Sequence, residues 1–207
     1  MTSLSVINVR RASYTVGMSR WEPNATERLG QAAVELFVSR GYEGVTVAEI
    51  AERAGLTKRT FFRHFADKRE VLFGGQDAYH QLFTDAIAGA PAGATPLEAI
   101  GAALAAFAAG FADDRRDFLA KRQTVIISNP DLRERDLLKA AALTTAMADA
   151  LAARGVKQPT ASLAAHIGAL ALGDAFQRWL QPENRRSMAK LAEQALRQLG
   201  SAAGNLH

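Results

Sequence analysis

Two helix-start signals, Thr46 and Thr57, flank a single glycine, and few folds accommodate that arrangement. Thr46 has the hydroxyl of an N-cap and Glu49 sits three positions on, where its carboxylate closes a capping box. Val45 before the cap and Ile50 after it make the hydrophobic staple. Thr57 repeats the device, with Leu56 and Phe61 as its staple. The two helices are too short to persist alone in water, so their apolar faces must be packed. Gly55 ends the first of them, and the tight turn at Gly55 and Leu56 predicts a helix-turn-helix, spanning about 47–66.

The rest of the chain has the same grammar. Asn24 and Glu27 open a helix from about Ala25 to Arg40, with Leu29, Ala32, Ala33, Leu36 and Phe37 as its apolar stripe. Asp67, with Glu70 at N3, starts a fourth helix that is expected to reach Ala88 and to carry Gly74 and Gly75 in its interior. Thr95, Pro96 and Glu98 begin a fifth, to about Asp113. Further helices are expected over about 115–128, from Pro130 to Ala153, over about 160–180, and over about 185–199 with Gly200 as the stop and a frayed tail from Ser201. The sum is nine helices without a strand pattern: an all-α chain. A 48% hydrophobic content with only 7% aromatics suits this, since alanine and leucine favour packed helices over sheets.

Residues 1–23 read as a disordered basic arm, and Met18 reads as the natural start, the alternative being an arm that touches DNA. Residues 24–84 are expected to form one domain around the helix-turn-helix and 85–207 a second, larger helical domain.

Charge is concentrated where those short helices lie. The net charge is +4, yet Arg53, Lys58, Arg59, Arg63, Lys68 and Arg69 crowd one stretch against the single acid Asp67. That is the footprint of a surface facing phosphates. On a helix begun by Thr57, Phe61 and Phe65 share the inward face, while Arg59, Thr60, Phe62 and Arg63 point away. Thr57 and Lys58 stand at the N-terminal end, where free backbone N–H groups favour phosphate. Arginine pairs bidentately with guanine, and threonine meets a thymine methyl.

Other classes are disfavoured. There is no cysteine, hence no disulfide framework and no thiol nucleophile. His64, His80, His166 and His207 show no metal-ligand spacing, and no glycine loop cradles a phosphate. No enzyme, metal or cofactor is expected. No apolar run approaches the roughly 18 residues of a membrane span, and no secretion signal opens the chain, so a cytoplasmic protein is expected. A structural DNA-packaging protein would have no use for the large helical segment after residue 84.

The run Thr46-Val47-Ala48-Glu49-Ile50-Ala51-Glu52-Arg53-Ala54-Gly55-Leu56-Thr57-Lys58-Arg59-Thr60-Phe61-Phe62-Arg63-His64-Phe65-Ala66-Asp67-Lys68 closely resembles the signature of the TetR/AcrR transcriptional regulators. The resemblance covers about Asn24 to Phe83. It implies a sequence-specific regulator, usually a repressor, that binds a double-stranded DNA operator as a homodimer and leaves it when a small-molecule effector binds. It also implies that Thr46 caps its helix and touches a phosphate, that Thr57, Lys58, Arg59 and Thr60 open the recognition helix, and that His64 and Lys68 contact phosphate. Phe62 departs from the family pattern, which has a tyrosine there; its ring must stack where the hydroxyl would bond.

In such proteins the later helices dimerise and enclose the effector. The small residues Ala164, Ala165, Gly168, Ala169, Ala171, Gly173 and Ala175 suit close approach of one copy to another, with Met188, Leu191, Ala195, Leu196 and Leu199 as the last helix's stripe. Packing of these stripes within one subunit is the alternative. Pocket candidates are Phe83, Phe107, Phe111, Phe118, Arg122, Met147 and His166, and Asp174 is expected to cap the pocket or pair across the dimer. Gly74 and Gly75 are expected to weaken the fourth helix enough to let it swing, the alternative being close packing.

Overall fold

The structure is a computed structural model, and it describes residues 25–205. The expectations for residues 1–24, including the arm, the Met18 start and the Asn24 cap, lie outside that range. Among the described residues there are nine α-helices and two 3-10 turns, without a strand.

The first three helices are α1 (Ala25–Arg40), α2 (Val47–Arg53) and α3 (Lys58–His64). The Thr46 and Glu49 capping box is complete, and Thr57 caps α3 by accepting the amide of Thr60 at 3.1 Å. Gly55 takes the left-handed φ of +65° that the turn requires, and Arg28 of α1 donates to the carbonyl groups of Ala54 and Gly55. Leu29, Phe37, Ile50, Phe61 and Phe65 are buried together beneath the three helices.

The expected fourth helix divides. Asp67 accepts the amides of Arg69 at 2.8 Å and Glu70 at 3.1 Å, but this starts only a 3-10 turn, Glu70–Leu72. Gly75 then adopts a φ of +85°, which no right-handed helix passes through, and α4 runs from Gln76 to Ala88 (Gln76–Ala88). Gly74 and Gly75 therefore separate two elements instead of lying inside one. Gly74 is also held close: a β-carbon there would stand 3.2 Å from the Phe65 ring.

The remaining helices are α5 (Pro96–Ala108), α6 (Arg116–Ile127), α7 (Pro130–Ala153), α8 (Gln158–Leu180) and α9 (Met188–Gly204). Thr95 with Glu98, Asn129 and Ser187 cap α5, α7 and α9. Two ends differ from expectation. α5 stops at Ala108, and Asp113 begins a separate 3-10 turn, Asp113–Arg115. α9 passes through Gly200 instead of stopping there, because that glycine lies against Leu97 of α5, where a β-carbon would come within 2.9 Å of the leucine side chain. Packing against a neighbour outweighs the cost of about 1 kcal/mol for glycine inside a helix.

Two hydrophobic cores result. Phe83, Ile87, Ile100, Leu104, Met147, Leu151, Trp179 and Leu191 build the larger one from α4, α5, α7, α8 and α9. The smaller one under the first three helices is completed from far along the chain by Val125 and Ile126 of α6 and Leu132 of α7. The cores therefore change over at Gly74 and Gly75, with α4 belonging to the larger one, while α6 and α7 bind the two together. No single helix is long and apolar enough to cross a membrane.

Ile126 is fully buried in the smaller core, and its neighbour Ile127 is 58% exposed. Ile126→Ala is expected to cost about 3 kcal/mol of unfolding free energy and Ile127→Ala less than about 0.5 kcal/mol, measured by urea denaturation.

Candidate nucleic-acid interface

α3 is buried along one side and open along the other. Phe61 is wholly buried and Phe65 nearly so, while Thr57, Lys58, Arg59, Phe62, Arg63 and His64 are exposed and Thr60 is half-buried. The division follows from the 100° step per residue, which puts 61 and 65 on the core side. Phe62, at 49% exposure, meets Phe61 edge-on with ring centres 5.5 Å apart, and the Lys58 ammonium lies 5.9 Å from its ring. Arg63 approaches His64 at 3.4 Å, and the other His64 ring nitrogen lies 3.3 Å from the Thr26 hydroxyl on α1. The result is an exposed face of cations and a threonine on a rigidly seated helix.

Thr46 and Lys68 are placed differently from the residues of α3. The Thr46 hydroxyl donates to the Glu49 carboxylate at 2.7 Å and accepts the Glu49 amide. Lys68 is half-buried; its ammonium donates to the carbonyl groups of Tyr42 at 2.9 Å and Val45 at 3.1 Å and lies 4.0 Å from the Tyr42 ring. Two of its three N–H groups thus hold the loop between α1 and α2, which leaves one for any phosphate.

A cavity of about 840 Å³ opens where α1 meets α4 to α8. Of the residues expected to line it, Phe107, Phe111, Phe118 and Arg122 do so. Phe83 and Met147 do not: both are completely buried in the larger core, Phe83 stacked behind Phe107. His166 is also excluded, since it is exposed on the outer side of α8 with its ring nitrogen 2.8 Å from the Ser162 carbonyl. Sequence reasoning missed Tyr79, His80, Asp136, Lys139 and Phe176, together with Thr26 and Gly30 from α1. The residues from α1 carry no signal in the sequence, because the apolar stripe of that helix points to the smaller core alone. Asp136, at an inward register of α7, was the accessible clue.

The charged residues near the cavity are mostly tied to one another. Glu70 accepts from Arg135 at 2.8 Å and lies 3.3 Å from the Lys139 ammonium. Arg122 donates its Nε to the Leu72 carbonyl, and its guanidinium centre is 5.6 Å from the Phe73 ring. Burial pulls the Arg122 pKa down, opposed by the charge of Asp136. Burial pushes the Asp136 carboxyl up, opposed by Arg122.

The α8 stripe is turned inward. Ala161, Ala164, Ala165, Gly168, Ala171 and Ala175 are buried within the subunit, and Ile100 of α5 sits so close to Gly168 that a β-carbon would lie 2.6 Å from it. Met188, Leu191 and Ala195 of α9 are likewise buried. Ala164, Ala165, Gly168, Ala171 and Ala175 of the stripe therefore pack within one subunit, the alternative reading, whereas Ala169 and Gly173 line the cavity. The opposite side of α8 leaves Leu163 and Leu170 at 57% and 62% exposure. Asp174, on that side, pairs with Arg178 at 3.1 Å and does not line the cavity.

Comparison with known proteins agrees with this geometry. Residues 30–73 match the family model for bacterial regulatory proteins of the tetR family, and residues 94–204 match that of the MftR C-terminal domain. A Mycobacterium tuberculosis protein assigned as the mycofactocin biosynthesis transcriptional regulator MftR is 25% identical over 170 residues, covering 81% of this chain and 85% of that one. The HTH-type transcriptional regulator TcmR of Streptomyces glaucescens is 44% identical over 80 residues, but the match spans only 39% of this chain and 35% of that protein. A TetR-family structure from Mesorhizobium loti superposes with a TM-score of 0.54 at 23% identity, covering 86% of this chain and 95% of the other, a likeness of fold.

The Glu49 carboxyl is held down at about 2, chiefly by the Thr46 hydroxyl, then by the Thr46 amide and by Arg40 at 2.8 Å. Its ordinary value is 4.5, so the stabilisation is complete above that pH and disappears as pH falls toward 2. In thermal unfolding, wild type is expected to exceed Glu49→Gln by a constant margin from neutral pH to about 5, and the margin should close below that.

Proposed function

This chain belongs to the TetR family of bacterial transcriptional regulators, and we propose that it is a repressor that binds a near-palindromic operator as a homodimer and is released when a small molecule enters the cavity. The observation that carries the proposal is the division of α3, with Phe61 and Phe65 anchored in the core and Lys58, Arg59 and Arg63 on the open side.

In this reading α3 enters the major groove. Arg59 and Thr60 read base edges, and Thr57 and Lys58 meet phosphate at the helix N-terminus. Thr46, Arg63 and His64 flank the groove, with Phe62 stacking on the backbone beside Lys58. Lys68 acts chiefly by holding the loop between α1 and α2, with one N–H left for phosphate. The exposed Leu163 and Leu170 of α8 form the centre of the contact between subunits, with His166 and Asp174 beside them. A pair of recognition helices about 34–36 Å apart would then address successive turns of one duplex face. The protein acts in the cytoplasm, where its operator is.

Release follows from where the cavity lies. Thr26 lines the cavity and also contacts His64 at the end of α3, so a molecule seated there touches the element that braces the recognition helix. Effector binding shifts the population toward subunit arrangements that no longer match the operator spacing.

Two measurements test this. On operator fragments selected from genomic DNA, Arg59→Ala should lose about tenfold or more on the selected site while binding random DNA nearly as before, and Lys58→Ala should weaken both alike and lower the salt slope by about one. Equal losses on both DNAs for Arg59→Ala would remove α3 from the groove. Leu163→Glu combined with Leu170→Glu should yield a monomer by light scattering; an intact dimer would place the contact elsewhere.

A further inference from the structure

The cavity has aromatic walls and one guanidinium whose terminal nitrogens meet no acceptor among the described residues. Phe107, Phe111, Phe118 and Phe176 line it, with the Phe107 and Phe111 rings 5.0 Å apart. Among these rings stands Arg122. Its Nε is used by the Leu72 carbonyl, and no described residue accepts a hydrogen bond from its terminal nitrogens. Asp136 lines the same cavity, but no ion pair joins the two. Lys139 is engaged by Glu70 and the Phe73 ring. Arg115, Asp114 and Glu27 are exposed.

Arg122 is half-buried, and its terminal nitrogens face the cavity with no acceptor from the protein, which leaves them free to pair with an anion that enters. Arginine does not give up its proton at physiological pH. Asp136, which lines the same cavity, makes no hydrogen bond to the guanidinium, so it leaves those nitrogens without an acceptor. The unmet demand inside the cavity is therefore for hydrogen-bond acceptors on Arg122, and an anionic group meets it most strongly.

We infer that the effector is an amphipathic anion: an apolar body of rings or chain lies against the phenylalanines, and one acidic head group pairs with the terminal nitrogens of Arg122. This deepens the proposed release by a small molecule and rests on it. Planar recognition of a carboxylate, sulfonate or phosphate suits the guanidinium fork, whose terminal nitrogens bond no described side chain. The charge also has a route to the DNA-binding end. Arg122 holds Leu72 in the 3-10 turn that follows α3, and Arg135 and Lys139 hold Glu70 in the same turn. An anion that draws the guanidinium toward itself loosens the hold on Leu72, directly before the break at Gly74 and Gly75. Arg122 is thus both the specificity determinant and the lever.

The test uses two fluorescent probes with the same rings, anilinonaphthalene sulfonate and uncharged phenylnaphthylamine, titrated into the full-length protein. Wild type should bind the sulfonate about tenfold tighter than the neutral probe. Arg122→Gln should bring the two within about twofold of each other while the affinity for the neutral probe stays as it was. Asp136→Asn, which leaves Leu72 untouched, should tighten the sulfonate several-fold by removing a competing negative charge. Equal affinities in wild type, a sulfonate preference that survives Arg122→Gln, no effect of Asp136→Asn, or failure of both probes to bind would each overturn the inference. The same preparation is assayed for binding to genomic DNA fragments. A preserved anion preference without DNA binding would defeat the regulator reading alone, and DNA binding without the preference would defeat the anion reading alone.

Discussion

The smaller core depends on three side chains that do not belong to its own stretch of chain. Helices of seven residues such as α2 and α3 cannot hold their shape alone, and the apolar surface of α1, α2 and α3 together is small for an independent domain. Val125, Ile126 and Leu132 supply what is missing, and they do so from α6 and α7, the same helices that wall the cavity. The surface that would face DNA is therefore stabilised by the elements that would sense an effector. Coupling between them needs no long pathway, because one set of packed side chains serves both.

Polar contacts sharpen that coupling. The 3-10 turn at Glu70–Leu72 is gripped by Arg122, Arg135 and Lys139, all from α6 and α7. Immediately afterwards the chain passes through the left-handed Gly75, where the helical ladder is broken. A rigid grip beside a break is the arrangement in which a small displacement of one side chain can become a rotation of a whole unit. On the other side of the cavity, Thr26 reaches His64. The cavity thus meets the end of the helix-turn-helix from two sides, through α1 and through the turn that follows α3.

Most of the architecture was legible in the sequence because helix boundaries are local events. Caps at Thr46, Thr57, Thr95 and Asn129 act through atoms three residues away, and each lies where the sequence places it. Phe61 and Phe65 were legible as core and Arg59 and Arg63 as surface, because a helix of known phase needs only its period. The errors share a cause as well. Asp67 has the pattern of a cap, yet it starts only a 3-10 turn, and the left-handed Gly75 separates that turn from α4; Gly200 has the pattern of a stop, yet contact with Leu97 carried the helix through it. Periodicity also identified α8 as two-faced without telling which face is covered by α5 and α9.

By itself, then, the sequence determined the all-helical class, the order of the helices, the helix-turn-helix and the sign of its exposed face, since each rests on interactions within a few residues. Only tertiary structure decided which residues surround the cavity, that Lys68 bonds to a loop, that most of the small stripe of α8 lies inside the subunit, and that Arg122 stands over Leu72. Those facts depend on contacts between residues far apart along the chain, whose directions are set by how helices pack and not by the period of any one of them.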